Sequence, residues 1–143
     1  MGKDFLEVSL RSVNDKVKFA AGCGENAEIA IDYIPPVGGG EGYTSLELLL
    51  LSFTSCVSTL MLAFLRSNFK RTVHSLQAKA SGAVRSEHPK ALSNIHLALT
   101  LQSPDAEESD VNTILKMAES KFCPVWAMIK GNVEVEVTFA IER

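Results

Sequence analysis

The sequence lacks the features that mark several classes of protein. Its three cysteines, Cys23, Cys56 and Cys123, cannot build a disulfide framework. An odd number in a reducing compartment indicates free thiols or one reactive pair. No Cys-x-x-Cys or His-x-His pattern accompanies them, so we expect neither a metal site nor a cofactor. The net charge of -3 provides no basic surplus, so nucleic acid is not an expected partner.

The N-terminal segment has no targeting signal that we can identify. Charged residues interrupt the region where a secretory signal has its apolar core. Leu6 also stands where the N-myristoylation pattern has Ser or Thr. The length of 143 residues, with 46% apolar and 22% charged residues, is typical of one soluble domain with its own hydrophobic core. We therefore expect a single cytoplasmic domain over residues 1–143.

Hydrophobic patterning predicts the element order βββ-α-ββ-αα-β. Segments of alternating apolar and polar residues predict the strands. A loop rich in proline and glycine, residues 34–42, follows the third strand and precedes the long apolar segment. Helical spacing after Ser103 and Pro104 predicts an amphipathic helix, and Pro124 suits the first position of a short helix behind it. Because the strands occur in groups, we predict an α+β fold with largely antiparallel sheets.

The longest apolar stretch, residues 46–65, contains no basic side chain and is long enough to cross a bilayer. Its hydroxyl groups argue against contact with lipid, and four of them share a stripe at helical spacing: Ser52, Ser55, Ser58 and Thr59. We therefore favour a buried helix from about 44 to 68 over a membrane span. The helix is apolar nearly all round and would leave one face exposed in a monomer, so we expect a homodimer whose core contains it.

Two of the three thiols, Cys56 and Cys123, occupy different positions relative to the predicted helices. Cys56 lies in the middle of the apolar helix, where a free cysteine usually acts as a small buried hydrophobic residue. Cys123 directly precedes Pro124 at a predicted helix N-terminus, where unpaired N–H groups would lower the pKa of a thiol and favour the reactive thiolate. At the start of the long helix, Thr44 or Ser45 is the expected N-cap. Ser45 is preferred if Glu47 occupies the first turn.

Two segments in this order resemble the OsmC/Ohr family of osmotically inducible and organic hydroperoxide resistance proteins. They are "GYTSLELLLLSFTSCVSTLML" around Cys56 and "AESKFCPVWAMIKGNVEVEV" around Cys123. The first is similar to the family stretch that leads to a cysteine on a long central helix, and the second to its Cys-Pro-Val turn. The resemblance implies an OsmC-like α+β fold with antiparallel sheets around long central helices. It also implies an intertwined homodimer with two active sites at the subunit interface.

The same resemblance implies a thiol-dependent peroxidase that reduces organic hydroperoxides and, less well, hydrogen peroxide. Cys56 would attack the peroxide and form a sulfenic acid, and Cys123 would resolve it as a disulfide. A dithiol or lipoylated reductant would then reduce that disulfide. Phe53, Met61, Phe122 and Trp126 are near the two thiols in sequence and are candidates for the wall of an apolar pocket, or plain core residues.

In active family members a Glu and an Arg assist the reactive cysteine, and here the match is incomplete. Glu47 is the candidate glutamate, although Leu46 occupies the position used in the hydroperoxide-resistance branch. Ser45 replaces the proline of the motif, and Arg11 is the only arginine before the central helix. These departures leave an alternative open: a non-catalytic OsmC-like dimer that senses oxidation or binds an apolar ligand.

Overall fold

A computed structural model describes residues 4–143 of the chain. The chain divides into two compact units, Met1–Leu48 and Leu49–Arg143, and the boundary falls in the first turn of the long helix. Each unit is described separately below, and the single domain expected from the sequence stays a prediction.

The predicted order of strands and helices is confirmed, with one addition that the sequence did not predict. A π-helical turn, Ala118–Phe122, separates the second and third helices. The elements have the following bounds: β1 Ser9–Ser12, β2 Phe19–Gly22, β3 Ile29–Ile31, α1 Ser45–Ser67, β4 Ser75–Ser81, β5 Asn94–Gln102, α2 Glu108–Met117, α3 Pro124–Ile129 and β6 Glu134–Glu142.

In the first unit, β1, β2 and β3 form an antiparallel sheet in that order. The loop behind β3 is held by one carboxylate. Asp32 is buried and accepts N–H bonds from Tyr33 at 2.8 Å, Gly39 at 3.2 Å and Glu41 at 3.1 Å. The bond from Glu41 is the main reason that the pKa of Asp32 lies below its ordinary value. The segment predicted as a loop therefore has a fixed shape, because one side chain satisfies three of its amides.

In the second unit, β4, β5 and β6 form a sheet with β5 in the centre. β4 pairs with β5 in antiparallel fashion, whereas β6 runs parallel to β5. Three of the four strand pairings are antiparallel, so the prediction of largely antiparallel sheets is confirmed, and the β5–β6 pairing is the exception. It arises because α2, the π-helical turn and α3 carry the chain back to the end of the sheet where β5 began. The buried face of β5 provides much of the core and consists of Ile95, Leu97, Leu99 and Leu101.

Helix α1 runs close to its predicted bounds, but Thr44 caps it instead of the preferred Ser45. The N–H of Thr44 donates to Glu47 Oε1 at 2.7 Å, and the N–H of Glu47 donates to Thr44 Oγ1 at 3.3 Å, which is a reciprocal capping box. One side of the helix is buried, through Phe53, Val57, Met61 and Leu65. The opposite side carries small, exposed residues: Ser52, Ser55, Thr59 and Ala63.

A partly buried ion pair ties the segment behind α1 to the start of α2. Arg71 Nε donates to Asp110 Oδ2 at 2.8 Å, and the same oxygen accepts the N–H of Glu107 at 2.9 Å. Burial raises the pKa of Asp110, but the Glu107 N–H and the Arg71 guanidinium outweigh it and leave the pKa below its ordinary value. The Asp110 carboxylate therefore serves both as a helix cap and as the counter-charge of Arg71.

We predict that Asp110→Asn lowers the free energy of unfolding at neutral pH by about 1–3 kcal/mol, because a charge-assisted bond to Arg71 is lost. Because the pKa of Asp110 is lower in the folded state than in the unfolded state, its ionised carboxylate stabilises the fold above the unfolded pKa of about 3.9. This stabilisation is lost as the pH falls through the folded pKa. The difference between wild type and variant should therefore shrink below about pH 4. Denaturant titrations at several pH values measure it, with the exposed carboxylate of the same turn, Glu108→Gln, as control. If the difference in unfolding free energy between wild type and Asp110→Asn stayed the same at low pH, the stabilising role of the ionised Asp110 carboxylate would be contradicted.

Candidate functional site

Helix α1 places Cys56 on the border between its buried and its exposed side. Phe53 and Val57 lie on one side of Cys56 around the helix and are fully buried. Ser52 and Thr59 lie on its other side and are exposed. The Cys56 side chain is accordingly half-buried. A thiol at this border is held in place by buried neighbours, and part of its surface remains accessible to a reactant.

The π-helical turn decides where Cys123 lies. Buried apolar residues follow helical spacing along α2, at Val111 and Ile114, and continue to Ala118 at the start of the π-helical turn. Regular α-helical geometry would place residue 122 next on this side, but the N–H of Cys123 donates to the Ala118 carbonyl at 2.9 Å, a step of five residues. Cys123 therefore takes the buried position with 2% of its surface exposed, and Phe122 is 39% exposed.

The structure brings the two predicted thiols, Cys56 and Cys123, into direct contact. Their Sγ atoms are 3.0 Å apart, with the Cys123 thiol as the donor. Cys123 is also the N-cap of α3, as predicted, because its Sγ accepts the N–H of Trp126 at 3.3 Å. A disulfide requires sulfurs about 2.05 Å apart, so an approach of about 1 Å would join the two residues.

The predicted lowering of the Cys123 pKa was wrong. Burial of the thiol is the largest influence and, together with the hydrogen bond to Cys56, raises the pKa of Cys123 to about 11. The N–H of Trp126 acts in the opposite direction but is outweighed. The sequence predicted the N-terminus of α3 correctly, but it gave no sign that the Cys123 thiol at this position is buried. Cys123 is therefore a protonated thiol at neutral pH.

Two aromatic pairs join α1 to the segment that carries Cys123. The rings of Phe53 and Trp126 meet edge to face with centroids 5.3 Å apart, and both residues are buried. Phe64 and Phe122 form a second pair at 5.2 Å. Met61, also named from the sequence, is fully buried on the core side of α1. Phe53, Met61 and Trp126 therefore have the burial of core residues, and Phe122 is the member of the predicted set that solvent reaches.

The other predicted site residues, Glu47 and Arg11, lie in the first unit and have local partners there. Glu47 is engaged in the capping box with Thr44. Arg11 Nη2 donates to Glu28 Oε1 at 3.0 Å, and both side chains are more than half exposed. Cys23 is exposed, and its thiol donates to the Glu7 carbonyl at 3.4 Å. The catalytic roles of Glu47 and Arg11 stay predictions.

Within residues 49–143 no Arg or Lys side chain donates a hydrogen bond to either sulfur of the pair. The cations near the two thiols in sequence bind elsewhere: Arg66 donates to the Val73 carbonyl, and Lys130 pairs with Glu119 at 3.5 Å. In residues 4–143 no group of three or more His, Cys, Asp or Glu side chains is placed to hold a metal ion. The chemistry available in this part of the chain is that of two thiols in contact, one of which holds its proton.

Comparison with known proteins identifies the family. The OsmC-like protein family model matches residues 38–138, which include both thiols. No curated protein matches the chain. Among solved structures, a hypothetical protein from Aquifex aeolicus VF5 is 23% identical, with 96% of each chain covered and a TM-score of 0.83.

Two further solved structures share the fold at lower identity. An OsmC-like protein from Mycoplasma pneumoniae is 16% identical, with 99% of this chain and 100% of that chain covered and a TM-score of 0.82. The organic hydroperoxide resistance protein OhrB of Bacillus subtilis is 14% identical, with 95% and 98% covered and a TM-score of 0.62. At these identities the structures establish the α+β fold, and the family model covers well over half of the sequence. The chain therefore belongs to the OsmC-like protein family.

Proposed function

We propose that this protein is a thiol-dependent peroxidase that reduces organic hydroperoxides, with Cys56 as the attacking thiol and Cys123 as the resolving thiol. The observation that carries the proposal is the contact of 3.0 Å between the two Sγ atoms. The difference between the sulfurs supports the assignment of roles, because Cys56 is half-buried whereas Cys123 is buried and keeps its proton. The attacking thiol must be the one that a reactant can reach.

The proposed reaction has three steps, and a dithiol reductant balances the cycle in the last of them. The Cys56 sulfur attacks one oxygen of the hydroperoxide and the O–O bond breaks. This gives a Cys56 sulfenic acid and an alkoxide, which takes up the proton that the Cys56 thiol gives up and leaves as an alcohol. The Cys123 sulfur then attacks the Cys56 sulfur, the S–O bond breaks, and hydroxide leaves with the Cys123 proton as water. A dithiol or a lipoylated protein reduces the resulting disulfide by thiol exchange and is itself oxidised.

The preference for an organic substrate rests on the surroundings of the thiols. Apolar residues flank both thiols in sequence, and the exposed ring of Phe122, next to Cys123 in the chain, offers contact for an organic group. Several proteins of the same fold bear the name organic hydroperoxide resistance protein, including one from Legionella pneumophila that is 11% identical, with a TM-score of 0.69. That name suggests the substrate class for this chain and is part of the proposal.

We predict that the purified protein consumes cumene hydroperoxide faster than hydrogen peroxide when a dithiol reductant is supplied. Cys56→Ser should abolish turnover, because no sulfenic acid can form at position 56. Cys23→Ser is the matched control and should retain the activity of the wild type. The measurement is the loss of peroxide against time. Turnover that persists in Cys56→Ser would refute the mechanism.

A redox sensor without turnover is the second candidate, because the same contact between thiols permits a disulfide in either case. Such a protein would form the Cys56–Cys123 disulfide on exposure to peroxide but would not consume peroxide continuously with a dithiol present. Quantifying the disulfide by mass spectrometry alongside the turnover assay separates the two functions. Disulfide formation without turnover supports the sensor.

We also infer that the protein is a homodimer in which α1 packs against the partner subunit. By length and composition, α1 is apolar enough to span a membrane. Yet only 22% of the residues in an apolar stretch of 18 within this helix are buried in the subunit. An apolar helix that its own subunit leaves largely uncovered calls for a partner, and we infer that the partner is a second copy of the chain. The exposed side, with Ser52, Ser55, Thr59 and Ala63, has small side chains that allow two helices to approach closely.

We predict that Thr59→Arg converts the dimer to a monomer or to aggregates, because a long charged side chain prevents close approach of the two helices. Light scattering after size-exclusion chromatography measures the mass. Gln77→Arg, on the exposed side of β4, is the matched control and should leave the mass unchanged. A wild-type protein that is monomeric at micromolar concentration would show that α1 is not the interface.

A further inference from the structure

We propose that Cys123 has a second role that precedes resolution: its thiol group is the hydrogen-bond donor that prepares the Cys56 sulfur to act as the nucleophile. This inference rests on the proposed function, since it concerns the same pair of thiols. No Arg or Lys of residues 49–143 donates a direct hydrogen bond to Cys56.

The direction of the hydrogen bond follows from burial. Within one subunit Cys123 has only 2% of its surface exposed, whereas Cys56 is half-buried, and a negative charge is better stabilised on the less buried of two sulfurs. The N–H of Trp126 favours charge on Cys123 instead, but it is a single bond at 3.3 Å to a sulfur that water does not reach. Burial outweighs it, so the shared proton stays on Cys123 and points to Cys56 at 3.0 Å. A thiol is a weak donor to a neutral partner, and the bond strengthens when the acceptor is charged.

The position of the donor is fixed by backbone geometry on both sides. The N–H of Cys123 donates to the Ala118 carbonyl across the π-helical turn, and its Sγ accepts the N–H of Trp126 in α3. The Cys123 carbonyl also accepts the N–H of Ala127 at 3.1 Å. These bonds hold the thiol at one place before any peroxide arrives, which limits the rearrangement that the reaction requires.

Charged groups on the elements that meet at the thiols have partners of their own. Glu119 of the π-helical turn pairs with Lys130 behind α3, and Lys121 lies over the ring of Phe122 at 5.2 Å. At the far end of α1, Arg66 donates to the Val73 carbonyl. On α2, Asp110 is occupied by Arg71, and Lys116 is exposed to solvent. Among residues 49–143 the nearest hydrogen-bonding partner of Cys56 is therefore the second thiol.

The test compares two replacements of Cys123 that remove the resolving sulfur alike but differ in the donor. In a Cys23→Ser background, Cys123→Ser keeps an O–H donor and an acceptor for the N–H of Trp126, whereas Cys123→Ala keeps neither. The measurement is the rate of Cys56 alkylation by iodoacetamide, followed by mass spectrometry. It requires no peroxide, so a protein that lacks peroxidase activity can still pass or fail this test.

We expect Cys123→Ser to react within about twofold of the Cys23→Ser parent at pH 7, and Cys123→Ala to react about tenfold more slowly, because a hydrogen bond to a charged acceptor is lost. At about pH 10.5, where a thiol without special partners is ionised, all the rates should converge.

Two results would overturn the inference. Equal rates for the Ser and Ala variants at pH 7 would show that the donor has no effect on Cys56. A slow Ala variant at both pH values would show instead that the loss of the α3 cap had disturbed the site. Far-ultraviolet circular dichroism and the fluorescence of the single tryptophan, Trp126, monitor the fold of each variant.

Discussion

The site depends on a shift of one residue in helical register between α2 and α3. The buried side of α2 passes through Ala118, and a step of four residues would continue it to Phe122. The π-helical turn makes the step five, so that a cysteine enters the core and an aromatic ring leaves it. Proline follows directly and starts a new helix with the Cys123 sulfur as its cap. The contact with Cys56 follows from this shift, because α1 holds its own thiol at a fixed position on the opposite side.

Much of the fold could be predicted from the sequence because its signals are local. Alternation along β6, the proline after Cys123 and the apolar run of α1 each depend on neighbouring residues, and the order of elements followed from them. The parallel pairing of β5 with β6 could not be predicted in this way, because it depends on how a long connection returns the chain. The cap of α1 was misassigned for a narrower reason: Glu47 suits the first turn of the helix with either cap, and the two hydroxyl residues are adjacent.

The sequence named the two thiols that the structure brings together, but it did not predict their electrostatics, and the roles of Glu47 and Arg11 stay predictions. Both thiols were named from the family motifs, and the structure places them in contact. The pKa of Cys123 was predicted in the wrong direction, because the dipole of a helix is visible in a sequence whereas the burial of its cap is not. Arg71 forms a specific pair with Asp110, 39 residues further along the chain. Nothing local to Arg71 points to that partner.

The parallel ladder between β5 and β6 also affects the order in which the protein can assemble. Cys123 lies in the connection between these strands, and β6 is the last of them to leave the ribosome. Until β6 is available, β5 has only β4 beside it, and the apolar residues that β6 brings to the sheet are missing. Parallel pairings across long connections form slowly. Until β6 has paired, the segment that carries Cys123 is joined to the sheet only through β5, so the connection that holds the buried thiol is fixed at both ends only when the last strand is in place.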